Sequence, residues 1–195
     1  MDFNWLIKNK EKDYKMKSKD VNQEYEILRE IYNQSQLNCG FKKFFDERVG
    51  TEDNSVKYLD LSKTSILKVD KIYQLKNLEH LDLGETNIYN VANFNQLKKL
   101  KILFINNTNV EKIDDLYGLE KLIGVYLSKT LIRNISPLEK SREIEAVYIN
   151  DTLVENIEVL LSLEKLRVVN IEGSRVSNTD PNIYKLRRKG VLVIT

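Results

Sequence analysis

Residues 78–88 read LEHLDLGETNI and residues 100–110 read LKILFINNTNV, and what these two stretches share decides the fold. Both place apolar residues at positions 1, 4, 6 and 11 and a threonine at position 9. The same pattern opens four more segments at a constant 22-residue spacing: VKYLDLSKTSI from Val56, LIGVYLSKTLI from Leu122, IEAVYINDTLV from Ile144 and LRVVNIEGSRV from Leu166. Self-similarity at a fixed period of this length marks a repeat architecture. Within a unit, positions 1, 4, 6, 11, 14, 17 and 20 should be apolar, and across the first five units only Ser141 departs.

The spacing carries its own physics. Positions 4 and 6 share one face of a short strand, and positions 3, 5 and 7 point to the other. Positions 11, 14, 17 and 20 recur every third residue, which suits a 3₁₀-like turn or a short helix. A unit of this size cannot bury its own apolar side, so units must stack, aligning their strands as a parallel sheet over a continuous core. Position 9 is Thr64, Thr86, Thr108, Thr130, Thr152 and Ser174. A hydroxyl column at the strand ends can satisfy backbone groups that the tight turn leaves without partners.

On these residues the chain resembles leucine-rich repeat proteins, in particular the 22-residue class of bacterial internalins and the phosphatase-regulator type of intracellular repeat. The pattern LxxLxLxxTxIxxIxxLxxLxx is matched almost in full, and Ile135-Ser136-Pro137-Leu138 looks like an internalin return segment. The family usually carries Asn at position 9, so Thr or Ser here is a systematic departure. The resemblance implies an α/β, right-handed solenoid with a concave parallel sheet and a binding role, and it identifies no partner.

A solenoid needs both ends covered. Four segments are expected: an N-terminal stretch 1–19, a helical cap 20–55, repeats over 56–176 with the sixth degenerate, and a C-terminal cap 177–195. In the N-terminal cap, Asp20 with Gln23 reads as a helix start, followed by the stripe Val21, Tyr25, Leu28, Ile31 and Tyr32. Phe41, Phe44 and Phe45 form a second apolar group before the polar stretch Gly50–Ser55, read as a linker. The leading residues Phe3, Trp5, Leu6 and Ile7 either pack on the cap or form a docking peptide set off by the charged run Lys8–Lys19. At the other end Asn182–Lys189 reads as a helix with Ile183 and Leu186 inward, and Val191–Ile194 as one more strand. Arg187, Arg188 and Lys189 form a basic cluster at the helix C-terminus, where the dipole favours cations.

Composition excludes several function classes. The 195 residues hold one Cys, one His, seven Gly and two Pro, at a formal net charge of +2. Cys39 and His80 alone make no disulfide framework and no zinc set. The glycines never approach phosphate-loop spacing, and the near-neutral balance disfavours nucleic acid. No cofactor or metal is expected. The apolar cluster at Trp5–Ile7 is too short for an export signal, and no run reaches the roughly 18 residues of a membrane span. The default expectation is a cytoplasmic protein, with delivery into a host or target cell left open. The Asn-x-Ser/Thr triplets at Asn33, Asn106, Asn134 and Asn150 read as accidents of an Asn-rich chain.

Catalysis finds little support. In adjacent rows His80 neighbours Tyr58, while Ser62 lies roughly 14 Å away, beyond hydrogen-bond reach. Asp60 and Asp82 occupy one column and can approach to about 5 Å, but on an open sheet they read as a solvated patch. Cys39 has no basic neighbour to lower its pKa and reads as a small buried residue. No enzyme is expected.

The informative surface is the concave sheet. Position 3 is Tyr58, His80, Ile102, Gly124, Ala146 and Val168; position 5 is Asp60, Asp82, Phe104, Tyr126, Tyr148 and Asn170; position 7 is Ser62, Gly84, Asn106, Ser128, Asn150 and Glu172. Phe104, Tyr126 and Tyr148 form an aromatic ladder, and the small Gly124 and Ala146 beside it suggest a shelf for a partner's side chain. The expected binding residues are Tyr58, Asp60, His80, Asp82, Ile102, Phe104, Tyr126, Tyr148, Val168 and Asn170, with the two aspartates selecting a basic or polar feature. The sequence thus predicts a non-enzymatic module that binds a protein on its concave face. Two alternatives stand beside it: a regulatory or inhibitory factor (immunity, effector or anti-defence) using cap and tail, and a structural or self-assembling repeat module.

Overall fold

The computed structural model describes residues 19–195, and the docking-peptide reading of the N-terminal stretch 1–19 lies outside them except for Lys19, which begins a helix. Six repeat strands form where the pattern places them: β2 (Ser55–Asp60), β3 (His80–Asp82), β4 (Ile102–Phe104), β5 (Gly124–Tyr126), β6 (Ala146–Tyr148) and β7 (Val168–Asn170). Consecutive rows pair in parallel with position 5 opposite position 5, from Asp60↔Asp82 through Tyr148↔Asn170. The first five of these strands return through an irregular segment containing a 3₁₀ turn, such as Ile72–Gln74 and Ser136–Lys140. That outcome follows from the three-residue apolar spacing, since residues at i and i+3 eclipse in a 3₁₀ turn.

The fixed apolar positions are the core. Leu59, Leu61, Ile66 and Ile72 in the first unit, and their counterparts through Leu160 in the fifth, are almost wholly buried. Ser141, the exception in the pattern, is also fully buried, and its hydroxyl donates to the Leu119 carbonyl at 2.8 Å. A polar side chain is therefore accommodated there by a backbone acceptor one repeat away.

The threonine column acts as expected. Thr64, Thr86, Thr108, Thr130 and Thr152 each donate to the carbonyl of the position-6 residue three places back, at 2.6–2.7 Å. Ser174 differs: its hydroxyl accepts from the Val176 amide. The turn has a second requirement that the sequence did not advertise. Position 8 is left-handed in every unit, at Lys63, Glu85, Asn107, Lys129, Asp151 and Gly173, with φ of 55–64°. Only glycine and asparagine visit that region readily. The amide at position 8 donates to the position-7 carbonyl of the next row, as in Lys129 to Asn150 at 2.9 Å, so the inter-repeat ladder holds the conformation.

Helix α1 (Lys19–Ser35) already includes Lys19, so Asp20 is inside the helix and is not its N-cap. Ile27, Leu28 and Ile31 are buried against the first repeat, and Glu24 accepts the Val56 amide at 2.7 Å. Helix α2 (Phe41–Arg48) buries Phe44 among Tyr32 and Phe41, with ring centroids 5.4 and 5.8 Å away. The polar stretch Gly50–Ser55 is not a linker. Strand β1 (Val49–Glu52) turns through Asp53 and Asn54, both left-handed, and pairs antiparallel with β2. This hairpin closes the N-terminal edge of the sheet, which is therefore parallel only from β2 onward.

At the other end α3 (Pro181–Arg188) starts on an Asp180 side chain that accepts the Asn182 amide, and β8 (Leu192–Ile194) adds the last parallel strand. Arg187 donates to the Val193 carbonyl at 3.2 Å and Lys189 to the Leu161 carbonyl at 2.6 Å. Arg187 thus binds the cap's own backbone, and Lys189 ties the cap to the return segment of the fifth repeat. No helix among the described residues is long and apolar enough to cross a membrane.

If the hydroxyl column closes the strands, Thr130→Val should leave the Leu127 carbonyl without its donor while keeping the side-chain shape. We expect a loss of about 1–3 kcal/mol in urea unfolding, whereas Ser174→Ala, outside the column's geometry, should cost less.

Candidate functional site

Parallel in-register pairing carries one side chain per row into each concave column, about 4.8 Å apart. At position 5 this brings Phe104, Tyr126 and Tyr148 into a stack. The first two ring centroids lie 4.1 Å apart at 14°, and the second two 4.9 Å apart at 12°. Because the stack runs across the strands, the faces of Tyr126 are covered by its neighbours, and the ladder presents ring edges. Burial and then the neighbouring Tyr148 push the Tyr126 phenol up, so it is a neutral hydrogen-bonding group at physiological pH.

The shelf expected beside the ladder is filled by the chain itself. A Cβ on Gly124 would lie 3.2 Å from both Ile102 Cδ1 and Tyr126 Cε2. Glycine at that position therefore lets the Tyr126 ring lie back over the strand, and Gly124 is buried. The open volume is on the other side of the rings. A groove of about 570 Å³ is lined by Phe104, Tyr126 and Tyr148, by Asn106, Ser128 and Asn150 at position 7, and by Glu85, Asn107 and Lys129 at position 8. Ser128 donates to the Asn150 amide oxygen, and Asn150 in turn donates to Asp151. The groove joins aromatic edges to amides, a hydroxyl and one charge of each sign.

The remaining predicted residues divide into two ends of the same face. At the N-terminal end Asp60 and Asp82 are in register beside Tyr58 and His80. They are half-buried, not a solvated patch. Asp60 accepts from the Ser62 amide and hydroxyl at 2.8 and 2.7 Å, and Arg48 of α2 lies 3.5 Å from it. The Ser62 hydroxyl is thus engaged by Asp60, and the structure does not bring it to His80. Asp82 accepts the Gly84 amide at 2.8 Å, and no cation pairs with it among the described residues. Burial pushes the Asp82 carboxyl up to about 6; Asp60 and Glu85 add to the rise, and the Gly84 amide and Arg48 oppose it. Burial also raises the Tyr58 phenol, helped by the two aspartates, and lowers His80, which is neutral at pH 7.

At the C-terminal end Val168 and Asn170 are joined by two residues the sequence pattern did not point to. Leu192 pairs with Val168 and Ile194 with Asn170, so both columns continue into β8. The pairing offset there is 24 residues, two more than the repeat, which hides the extension from a 22-residue search. Asn170 accepts its own Glu172 amide at 3.0 Å, the same local turn as at Asp60 and Asp82.

Residues 76–118 match the family described as Leucine Rich repeats (2 copies). No curated protein matches the chain in sequence. Among solved structures, internalin C2 from Listeria monocytogenes is similar at 23% identity and a TM-score of 0.67, over 73% of this chain and 62% of that one. An internalin from the same organism (inlF) aligns at 15% identity and a TM-score of 0.66, over 93% and 59%. The LRR ectodomain of the receptor kinase SOBIR1 from Arabidopsis thaliana aligns at 18% identity and a TM-score of 0.68, over 80% and 94%. The chain thus spans about three fifths of the length of the two internalins. The fold is a leucine-rich-repeat solenoid of internalin-like form, in which stacked repeats build an extended concave surface.

The Asp82 environment sets a pH dependence. A carboxyl raised above its ordinary 3.8 binds its proton more tightly in the native state than in the unfolded one, so its contribution is present below that value and is lost as pH rises through about 6. Wild type should therefore gain stability relative to Asp82→Asn on going from pH 7 to pH 4.5, as read by thermal or urea unfolding at each pH.

Proposed function

We propose that this chain is a non-enzymatic module that binds another protein in the concave groove beside the aromatic ladder. The observation that carries the proposal is the stack of Phe104, Tyr126 and Tyr148 along one wall of that groove, opposite unburied amides. Tyrosines are frequent anchors of interfaces because a rigid apolar body carries a polar tip. The rings cover the sheet where no second layer does, and edges with two phenol hydroxyls offer a partner both apolar contact and hydrogen bonds. The groove also lacks the features of a reaction centre. The Ser128 hydroxyl donates to the Asn150 amide and not to a base, and the histidine is two rows from the groove's centre with a lowered pKa. A cytoplasmic location belongs to the same proposal, supported by a single, partly buried thiol that has no partner for a disulfide.

The test is comparative. Wild type and the Tyr126→Ala/Tyr148→Ala variant are used as paired baits on extract from the native source, and a protein captured by the first is then titrated against both by calorimetry. The variant should fold normally and bind at least about tenfold more weakly, about 1.4 kcal/mol. Equal affinity for the two baits would contradict a role for the ladder.

A further inference from the structure

The concave face is polarised from end to end, and that polarity names the partner's chemistry. Column 5 runs in register Asp60, Asp82, Phe104, Tyr126, Tyr148, Asn170, Ile194. Column 3 beside it runs Tyr58, His80, Ile102, Gly124, Ala146, Val168, Leu192. Both begin polar or acidic and end aliphatic. At the acidic end Asp60 is answered by Arg48, and Glu85 by Lys63 at 3.6 Å, while Asp82 has no cation within ion-pair distance among the described residues. A half-buried carboxylate in this position, flanked by two more, is complementary to a positive charge brought from outside. At the other end Leu192 is 62% exposed next to Val168 and Ile194. A large aliphatic left in water beside two partly covered ones gains most from an apolar contact. Between the ends lies the groove with its amides and phenols, suited to the main chain of an extended segment.

From this, and resting on the binding reading above, we infer that the partner is an extended protein segment lying across the strands, with a lysine or arginine at the Asp82 end and an aliphatic or aromatic residue at the Leu192 end. Five strand spacings separate Asp82 from Leu192, about 24 Å at 4.8 Å each, which an extended chain covers in about seven residues. The order matters as much as the content. The segment has one orientation on the face, because reversing it would set an apolar side chain on a carboxylate and strand a cation over Leu192 and Ile194.

The experiment uses an immobilised array of synthetic peptides of about nine residues. One arginine and one leucine stand at every spacing and in both orders, filled with serine and asparagine, and matched sets carry Glu for Arg or Ser for Leu. The whole chain is the probe, as wild type, Asp82→Asn, Leu192→Ser and Tyr126→Ala/Tyr148→Ala. Asp82→Asn keeps the acceptor for the Gly84 amide, and Leu192 is exposed, so both variants should fold. The inference predicts an optimum near a seven-residue spacing in one order, with Asp82→Asn abolishing the arginine dependence and Leu192→Ser the leucine dependence, each by about fivefold or more. Spots indifferent to arginine, or Asp82→Asn binding as wild type while the tyrosine variant still loses signal, would overturn the polarity and leave the concave reading standing. No spot above background would also overturn an extended-segment partner. Binding that survives every variant, the tyrosine pair included, would overturn both.

Discussion

Just past the end of five consecutive strands, at position 6, stands a backbone carbonyl that takes its hydrogen bond from a side chain, and the structure depends on how that carbonyl is satisfied. In five consecutive rows the answer is a threonine hydroxyl three residues later, donating at 2.6–2.7 Å from a nearly buried position. A buried acceptor left without a donor costs about 1–3 kcal/mol. Repeated through five rows, that cost would be comparable to the whole stability of an ordinary domain, about 5–15 kcal/mol. The bond also explains why a side chain as short as threonine can replace asparagine at this position. The acceptor is local, so a hydroxyl reaches it.

The same turn determines where a ligand can sit. Closing the strand at position 6 forces position 8 into the left-handed region, and the inter-repeat amide bonds hold it there even for lysine and glutamate. Positions 7 and 8 thereby line the outer wall of the groove whose inner wall is the aromatic ladder. The ladder owes its packing to a second local fact, the missing Cβ at Gly124, which lets the Tyr126 ring lie over the strand beside Ile102. Two backbone features, a left-handed residue and a glycine, thus shape a surface whose chemistry is aromatic and amide.

The sequence was explicit about whatever repeats and nearly silent about whatever does not. Positions 1, 4, 6, 11, 14, 17 and 20 fill a core that is apolar everywhere in the first five units but at Ser141, so the strands, their register and the 3₁₀ returns are legible, and so is the stack of Phe104, Tyr126 and Tyr148. Position 8 was not legible, because its conformation is imposed by hydrogen bonds to the next row and Lys63, Glu85 and Lys129 show no preference for it. The short, polar Gly50–Ser55 does not announce the β1 hairpin, because its pairing is fixed by the edge it covers. Gly124 suggests open space in the sequence, which records a small residue but not the ring that fills it. The last strand is legible in Val191–Ile194, but a two-residue slip in phase hides the register that brings Leu192 and Ile194 into the concave columns.

If a protein partner covers the aromatic ladder, as proposed, the chain carries its own controls for testing it. Tyr89, Tyr117 and Tyr184 are exposed at 53%, 52% and 65%, away from the concave columns. Hydroxyl-radical footprinting, read residue by residue by mass spectrometry in the presence and absence of the captured partner, compares the two sets directly. Oxidation of Tyr126 and Tyr148 should fall on complex formation while that of Tyr89, Tyr117 and Tyr184 is unchanged. Protection of those three with Tyr126 and Tyr148 still oxidised at the free rate would contradict it.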